Sequence, residues 1–254
     1  MQSVLTIAGS DSCGGAGIQA DIKTFEAFKV YSASVITVLT AQNTTGVKDI
    51  YEVDAKFVKA QIDSVLEDFD IKVIKVGMLF NKKIIKIVKD TIKDLKIPIV
   101  LDPVFVSKAG SPLLETEAIK ELKDFCKYAT VITPNLYEAK QLFDYNENDE
   151  HDLNKIREYK TNVLVKKHKK EINNVWYSID YLYTKNDIKS FHTPYIRTKN
   201  LHGTGCTLSS AIAANLALGK SLEESIRVSK EYVYEAILKA PNLGSGSGVI
   251  NHKV

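Results

Sequence analysis

The segment Gly203-Thr204-Gly205-Cys206 leads straight into a run rich in small residues, among them Ala211, Ala213 and Ala214. A helix opening on such a segment presents amides without intrahelical acceptors at the positive end of its dipole, which makes a ready anion site. Two glycines remove the side chains that would hold a phosphate at a distance. Cys206 stands where the same dipole lowers a thiol pKa and favours the thiolate. A buried, inert cysteine is the plainer alternative for this residue type.

Three further places carry less common residue types. Gly9 to Asp21 reads GSDSCGGAGIQAD, and Gly9, Gly14, Gly15 and Gly17 let a backbone pass close to a ligand. Gly9 and Gly14 have Walker A spacing, but Gly15-Ala16 stands where Lys-Ser/Thr is required, and no G-x-G-x-x-G is spelled. A glycine-rich turn without a ligand, followed by a solvated Asp21, is the bland alternative. Gln42-Asn43-Thr44 supplies amides able to read a heterocycle edge that pairs a donor with an acceptor, as in an aminopyrimidine, or else merely starts a polar loop. Asp102-Pro103 and Thr133-Pro134-Asn135-Leu136-Tyr137-Glu138 each place a carboxylate where hard oxygens hold Mg²⁺, directly or through water. Asn135 and Glu138 also fit a capping box, and the two readings are compatible.

These segments need a scaffold, and the pattern around them describes one. Short β-branched runs alternate with helical patterns, which predicts a mostly parallel sheet covered by helices, with ligands at the C-terminal ends of its strands. Strands are predicted at Val4–Ala8, Val35–Leu39, Lys72–Val76, Ile97–Leu101, Thr130–Thr133 and Val163–Val165. Between them fall helices: one with Ile18, Ile22 and Phe25 on a face; one capped by Asp54 that buries Phe57, Ile62, Val65 and Phe69; and one capped by Asn81 that carries Ile84, Ile85, Val88 and Ile92. Glu115–Phe125, Asn135–Phe143 and Leu153–Tyr159 are also helical in character. Val175–Tyr183 and Ser190–Ile196 read as antiparallel strands at one edge. A helix from near Cys206 stops at Gly219, and Ser221-Leu222-Glu223-Glu224 opens the next with a capping box.

The 254 residues are 44% hydrophobic and 26% charged, ordinary values for a globular core. No linker, repeat or composition break appears, so residues 1–254 are expected to form a single domain. The net charge of +3, from 34 basic and 31 acidic residues, argues against nucleic-acid or membrane-surface partners. Met1-Gln2-Ser3 lacks the flank of a signal peptide and no run approaches a membrane span, so a cytoplasmic location is expected. Cys13, Cys126 and Cys206 are too few and too scattered for a disulfide framework or a structural zinc site.

AGSDSCGGAGIQADIKTF, VLTAQNTTGV, VGML, VLDPV, ITPNLYEA and HGTGCTLSSAIAANLALG occur in that order. Together they resemble the hydroxymethylpyrimidine/phosphomethylpyrimidine kinases of the ribokinase-like superfamily, from about Leu5 to Asn251-His252. The resemblance implies an α/β fold, a three-layer α/β/α sandwich with a mostly parallel central sheet and an antiparallel edge. It implies transfer of the ATP γ-phosphate to 4-amino-5-hydroxymethyl-2-methylpyrimidine, and then to its monophosphate, by a homodimer using Mg²⁺. Gly9, Ala16, Asp21, Gln42, Met78 and Val104 would line the pyrimidine pocket. Gly203, Thr204, Gly205 and Cys206 would surround the transferred phosphoryl. Asp102 and Glu138 would organise Mg²⁺, with Asn135, Lys166 and Thr204 on the nucleotide. The first step must also remove a hydroxyl proton, for which Cys206 is the candidate base.

One segment departs from that family. A glycine-glycine-histidine segment is common after the lysine, whereas this chain reads Lys166-Lys167-His168-Lys169-Lys170: a solvated basic turn at the strand end is the reading for Lys169 and Lys170, and an approach to ATP phosphates is the alternative for Lys167. Three rivals follow from the same residues. Pyridoxal kinases resembling this family are expected to carry a second cysteine after the DPV segment, and Phe105–Gly110 has none. A pyrimidine sensor without catalysis is disfavoured by the intact Gly203, Gly205, Cys206, Asp102 and Glu138. Nucleotide hydrolysis, or amide chemistry through a Cys206–His202 pair, is weaker still, since nothing in the sequence supplies an orienting third group.

Overall fold

Alternation along the strands divides the interior in two, because successive side chains of a strand point to opposite faces of a sheet. The computed structural model describes residues 1–106, 113–145, 156 and 161–254. Its sheet runs in the order β3-β2-β1-β4-β5-β6-β7-β8-β9. The strands are β1 (Ser3–Asp11), β2 (Tyr31–Asn43), β3 (Gly46–Glu52), β4 (Ile71–Val76), β5 (Ile99–Leu101), β6 (Val131–Ile132), β7 (Asn162–Ile172), β8 (Val175–Tyr183) and β9 (Ile188–Pro194). The strands from β2 to β7 in that order pair in parallel. β3 closes one edge and β8-β9 the other, both antiparallel.

On one face Val4, Val73, Val100, Val131, Leu164 and Leu182 meet three helices. These are α1 (Gly17–Ala27), α6 (Thr204–Ala217) and α7 (Leu222–Leu238). On the other face Leu5, Ile74, Leu101, Ile132 and Val163 meet α2 (Ala55–Asp68), α3 (Lys82–Ile92), α4 (Ile119–Cys126) and α5 (Leu136–Phe143). The result is the expected sandwich of helices, sheet and helices.

Caps set the helix phases. The Asp54 carboxylate accepts from the amides of Lys56 at 2.9 Å and Phe57 at 3.4 Å, and Asn81 Oδ1 accepts from Ile84. With α2 starting there, Val58 and Ile62 face the sheet and Phe57 is 62% exposed, contrary to the expectation that Phe57 is buried. Residues 58, 62 and 65 form the i, i+4, i+7 seam, and position 57 lies one residue off it. Asp54→Ala is expected to cost about 1 kcal/mol, read as a lower urea midpoint at unchanged slope.

Two other local expectations change. β2 runs past Leu39 to Asn43 and turns at Thr44-Thr45 into β3, so Gln42 lies on a strand and not at a loop start. The segment from Lys166 to Lys170 is strand, not turn. β7 continues to Ile172, absorbs an irregularity between Val165 and His168, and reverses at Asn173-Asn174. Both asparagines take positive φ, 51° and 62°, which matches the twist of a two-residue hairpin. Lys169 and Lys170 are exposed as expected, with the Lys169 ammonium 3.8 Å from the Tyr195 ring centre. Of the predicted helix Leu153–Tyr159 only Ile156 lies within the described residues, as do only Phe105 and Val106 of the segment Phe105–Gly110.

The glycine-serine stretch near residue 245 forms a strap across the C-terminal edge of the sheet. Ser247 N–H donates to the Thr44 carbonyl at 2.8 Å, and Gly248 O accepts from the His202 amide at 3.0 Å. His252 Nε2 lies 2.9 Å from Thr207 Oγ1 of α6, and Tyr232 of α7 donates to the His252 carbonyl. A side chain at Gly246 would overlap the Thr44 carbonyl, so the close approach requires glycine. Among the described residues no helix is long and apolar enough to cross a membrane.

Candidate active site

A cavity of about 280 Å³ opens at the C-terminal ends of β1, β2, β4, β5 and β6, against the first turn of α6. Of the sequence-predicted residues, Gly9, Ala16, Gln42, Met78, Asp102, Val104, Asn135, Glu138, Lys166 and Gly203 to Cys206 all line it. Asp21 does not. A second cavity of about 280 Å³ lies on the other side of the α6 start and shares Lys166, Leu201, Thr204 and Gly205 with the first. A buried ion pair, Lys230 Nζ to Asp180 Oδ2 at 2.6 Å, lies in its wall.

The turn at the start of α6 is held by contact with the first glycine loop. Gly203 is the N-cap, with φ +87°, and a Cβ there would overlap the Gly15 carbonyl oxygen. At Gly205 a Cβ would come to 3.3 Å from Lys166 Nζ and 3.7 Å from Asp102 Oδ2, so both charges lie against the helix start. Lys166 donates to Asp102 Oδ1 at 2.7 Å, and the Thr133 hydroxyl donates to the same oxygen at 2.8 Å. Burial alone would neutralise both partners. Each instead keeps its charge: the Lys166 and Lys75 ammoniums hold Asp102 below the usual carboxylate range, and Asp102 with Glu138 holds Lys166 above the usual lysine range.

Glu138 completes the predicted capping box. Its Oε2 accepts from the Asn135 amide at 2.7 Å, while Asn135 Oδ1 accepts from the Glu138 amide at 3.0 Å. The buried carboxylates of Asp102 and Glu138 both face the cavity, a pair of hard oxygen donors suited to Mg²⁺ held largely through its water shell.

The thiolate expectation for Cys206 reverses. Its thiol, half-buried by surface yet enclosed by protein, is pushed up to about 11. Burial is the main cause; the opposing Lys75 charge is offset by Asp21 and Asp102. A helix dipole contributes about 0.3–1 kcal/mol, less than one pKa unit, and desolvation exceeds it.

Asp21 lies fully buried beneath the cavity. Its carboxylate accepts from Lys75 Nζ at 2.7 and 2.8 Å, from Thr6 Oγ1 at 2.6 Å and from Ser210 Oγ at 2.6 Å. The expected place in the pocket lining is therefore corrected: these donors occupy the carboxylate, which ties α1, β1, β4 and α6 together under the floor. Lys75 was missed in the sequence. Its signal was a lysine at an inward position of β4 (IKVIKV), where the alternation calls for an apolar side chain.

His202 has an orienting acid after all. Its Nε2 lies 2.7 Å from Asp11 Oδ2, so the imidazole N–H faces Asp11, 191 residues away in sequence. Asp11 and Cys13, together with His202, bring ligand atoms within 4.8 Å of one another. The Asp11 oxygens already accept from the amides of Cys13, Gly15 and Ala16 as well as from the imidazole, which makes this a hydrogen-bonded loop and not a metal centre. Burial works to raise the Asp11 pKa, but the His202 bond and charge and the Cys13 and Ala16 amides outweigh it and leave the carboxyl below its ordinary value.

The sequence model of the family described as Phosphomethylpyrimidine kinase matches residues 11–251. The chain is 40% identical to a hydroxymethylpyrimidine/phosphomethylpyrimidine kinase of Synechococcus elongatus, over 98% of this chain and 96% of that one. It is 42% identical to a thiamine biosynthesis bifunctional protein of Geobacter sulfurreducens, over 98% of this chain and 52% of the relative. Among solved structures it resembles an ADP complex of Bacillus subtilis pyridoxal kinase, with a TM-score of 0.87 and 34% identity, covering 99% of this chain and 97% of that one.

Proposed function

The chain belongs to the phosphomethylpyrimidine kinase family, and from that premise we infer what its residues do. It is an ATP-dependent kinase of thiamine biosynthesis. It phosphorylates the hydroxymethyl group of 4-amino-5-hydroxymethyl-2-methylpyrimidine and then the resulting monophosphate.

The observation that supports the site assignment is the meeting of two cavities at the α6 start, with Lys166, Thr204 and Gly205 in both walls. In our reading the pyrimidine occupies the first cavity, over Gly9, Ala16 and Met78 and beside Gln42 and Val104. The nucleotide occupies the second, its phosphates reaching Lys166, Asn135 and Thr204. The amides from Gly203 to Cys206 then surround the phosphoryl in transit. Phosphoryl transfer needs mainly alignment and stabilisation of charge, which these amides and the Lys166 ammonium supply. Asp102 and Glu138 would hold Mg²⁺ through its waters, and the ion, when bound, neutralises phosphate charge. Cys206 takes the hydroxyl proton in the first step, as the small thiolate fraction that its raised pKa leaves. In the second step the nucleophile is already an oxyanion, and little base is needed. We further propose that residues 1–254 work as one kinase domain, in a cytoplasmic homodimer.

The likeness to a pyridoxal kinase structure sets the competing substrate. Purified protein incubated with Mg-ATP and either hydroxymethylpyrimidine or pyridoxal separates the two by mass spectrometry. Mono- and diphosphorylated pyrimidine with little pyridoxal phosphate is the expected result. Pyridoxal phosphate alone would overturn the substrate, and no product from either would overturn turnover itself.

A further inference from the structure

We propose that His202 is a positioning residue for this reaction, its contact with Asp11 setting the substrate wall and the anion-binding turn in one register. His202 precedes the Gly203 N-cap, so any shift of its backbone moves the first amides of α6. Three contacts fix it. Its amide donates to Gly248 O of the strap at 3.0 Å. Its ring N–H meets Asp11 Oδ2 at 2.7 Å. Its ring edge packs on Gly15 so closely that a Cβ there would collide with Cδ2.

Asp11 reaches the same loop by other bonds, accepting from Cys13 at 2.8 Å, Gly15 at 3.1 Å and Ala16 at 2.9 Å. The two glycine segments, far apart in sequence, are therefore keyed together twice: by the His202–Asp11 pair and by the backbone fit of Gly203 on Gly15.

The same pair also defines what Gln42 offers. Asp11 is a carboxylate acceptor, so the proton between it and His202 Nε2 belongs to the imidazole. Gln42 Nε2 lies 3.4 Å from that nitrogen, which then has no lone pair to accept with. The Gln42 carbonyl oxygen lies 3.2 Å from Thr40 Oγ1, whose one proton it shares with the Ser10 carbonyl at 3.0 Å. The amide hydrogens of Gln42 are left to donate into the cavity, toward an acceptor nitrogen on a ring. His202 thus keeps Gln42 a donor, and this part rests on the first cavity being the pyrimidine site.

The test compares His202→Ala and His202→Gln, the latter retaining an N–H donor, by steady-state kinetics with hydroxymethylpyrimidine and Mg-ATP varied separately. Loss of a bond to a charged group predicts kcat/KM for the pyrimidine about 10- to 100-fold lower in His202→Ala, with the KM for ATP changed by less than about threefold. His202→Gln, or imidazole added to His202→Ala, recovers a large part of the loss. Equal losses toward both substrates without rescue would reduce His202 to a structural role, and unchanged kinetics would also overturn the proposal. Should His202→Ala fail to fold, Asp11→Asn must show the same pyrimidine-selective loss, and equal or absent effects there refute the proposal. Wild-type turnover decides the pyrimidine reading independently. If the wild type takes only pyridoxal, the same comparison with pyridoxal judges His202 alone.

Discussion

Cys206→Ala lowers the first phosphorylation by about 10²- to 10⁴-fold, the range for loss of a general base, and the second by less than about tenfold. The asymmetry follows from the nucleophiles. A hydroxymethyl group must lose a proton as it attacks, and the thiol in the third position of α6 lines the cavity where that group would lie. A phosphate monoester arrives ionised. The elevated thiol adds a pH signature. With its pKa pushed up to about 11 by burial, Cys206 is almost wholly protonated at neutral pH. The thiolate fraction grows with pH, so kcat/KM of the first step rises nearly tenfold per pH unit from about 7 to about 10, while the second step stays comparatively flat. Initial rates on each substrate, for wild type and variant, read both effects. Equal losses in the two steps, or a first step indifferent to pH, would make Cys206 a spacer that positions the phosphoryl group.

Lys75→Met is expected to damage the fold severely. It removes the only ammonium that the Asp21 carboxylate contacts among the described residues and leaves that charge, with two hydroxyl donors, wholly enclosed. Deleting one member of a buried pair costs about 3–5 kcal/mol, a large part of a typical domain's stability. Replacing both members is far milder, since the uncompensated charge disappears. The double variant Asp21→Asn/Lys75→Met is therefore expected to regain most of the urea midpoint lost by Lys75→Met. If the double variant is no more stable than the single one, the pair is not what the damage reflects.

The layers were legible because they depend on local pattern. Val4 and Leu5 on β1, or Val100 and Leu101 on β5, announce a strand buried on both faces, and Asp54, Asn81 and Asn135 announce helix starts through their caps. The glycines of both loops and the Asp102 and Glu138 carboxylates stood out by residue type. What stayed hidden depends on distance or on weak pattern. β3 carries Lys48, Asp49 and Glu52 on an edge, so it lacks the apolar signature of a strand. Lys169 and Lys170 carry the charge pattern of a turn although they lie on β7, whose reversal at Asn173-Asn174 comes three residues later. Phe57 is apolar yet lies one position off the buried seam, and α2 turns it to solvent. Asp11 and His202 looked like unrelated polar residues, since neither sequence neighbourhood contains the other.

That separation bears on how the molecule comes to work. The bonds that key the two glycine segments and seat the strap join Asp11 to His202 and Thr44 to Gly246, across 191 and 202 steps of chain. Contacts so remote return no free energy until a long loop has already been closed, so they form late. Neighbouring strands and helices assemble first, over much shorter separations. Contact order therefore favours forms in which the sheet is in place before α6, whose Ser210 reaches Asp21 across 189 positions, docks and sets the register between the two glycine segments. In such forms secondary structure is present before the capacity to hold the ring and the phosphate together, so compactness precedes catalytic competence in time.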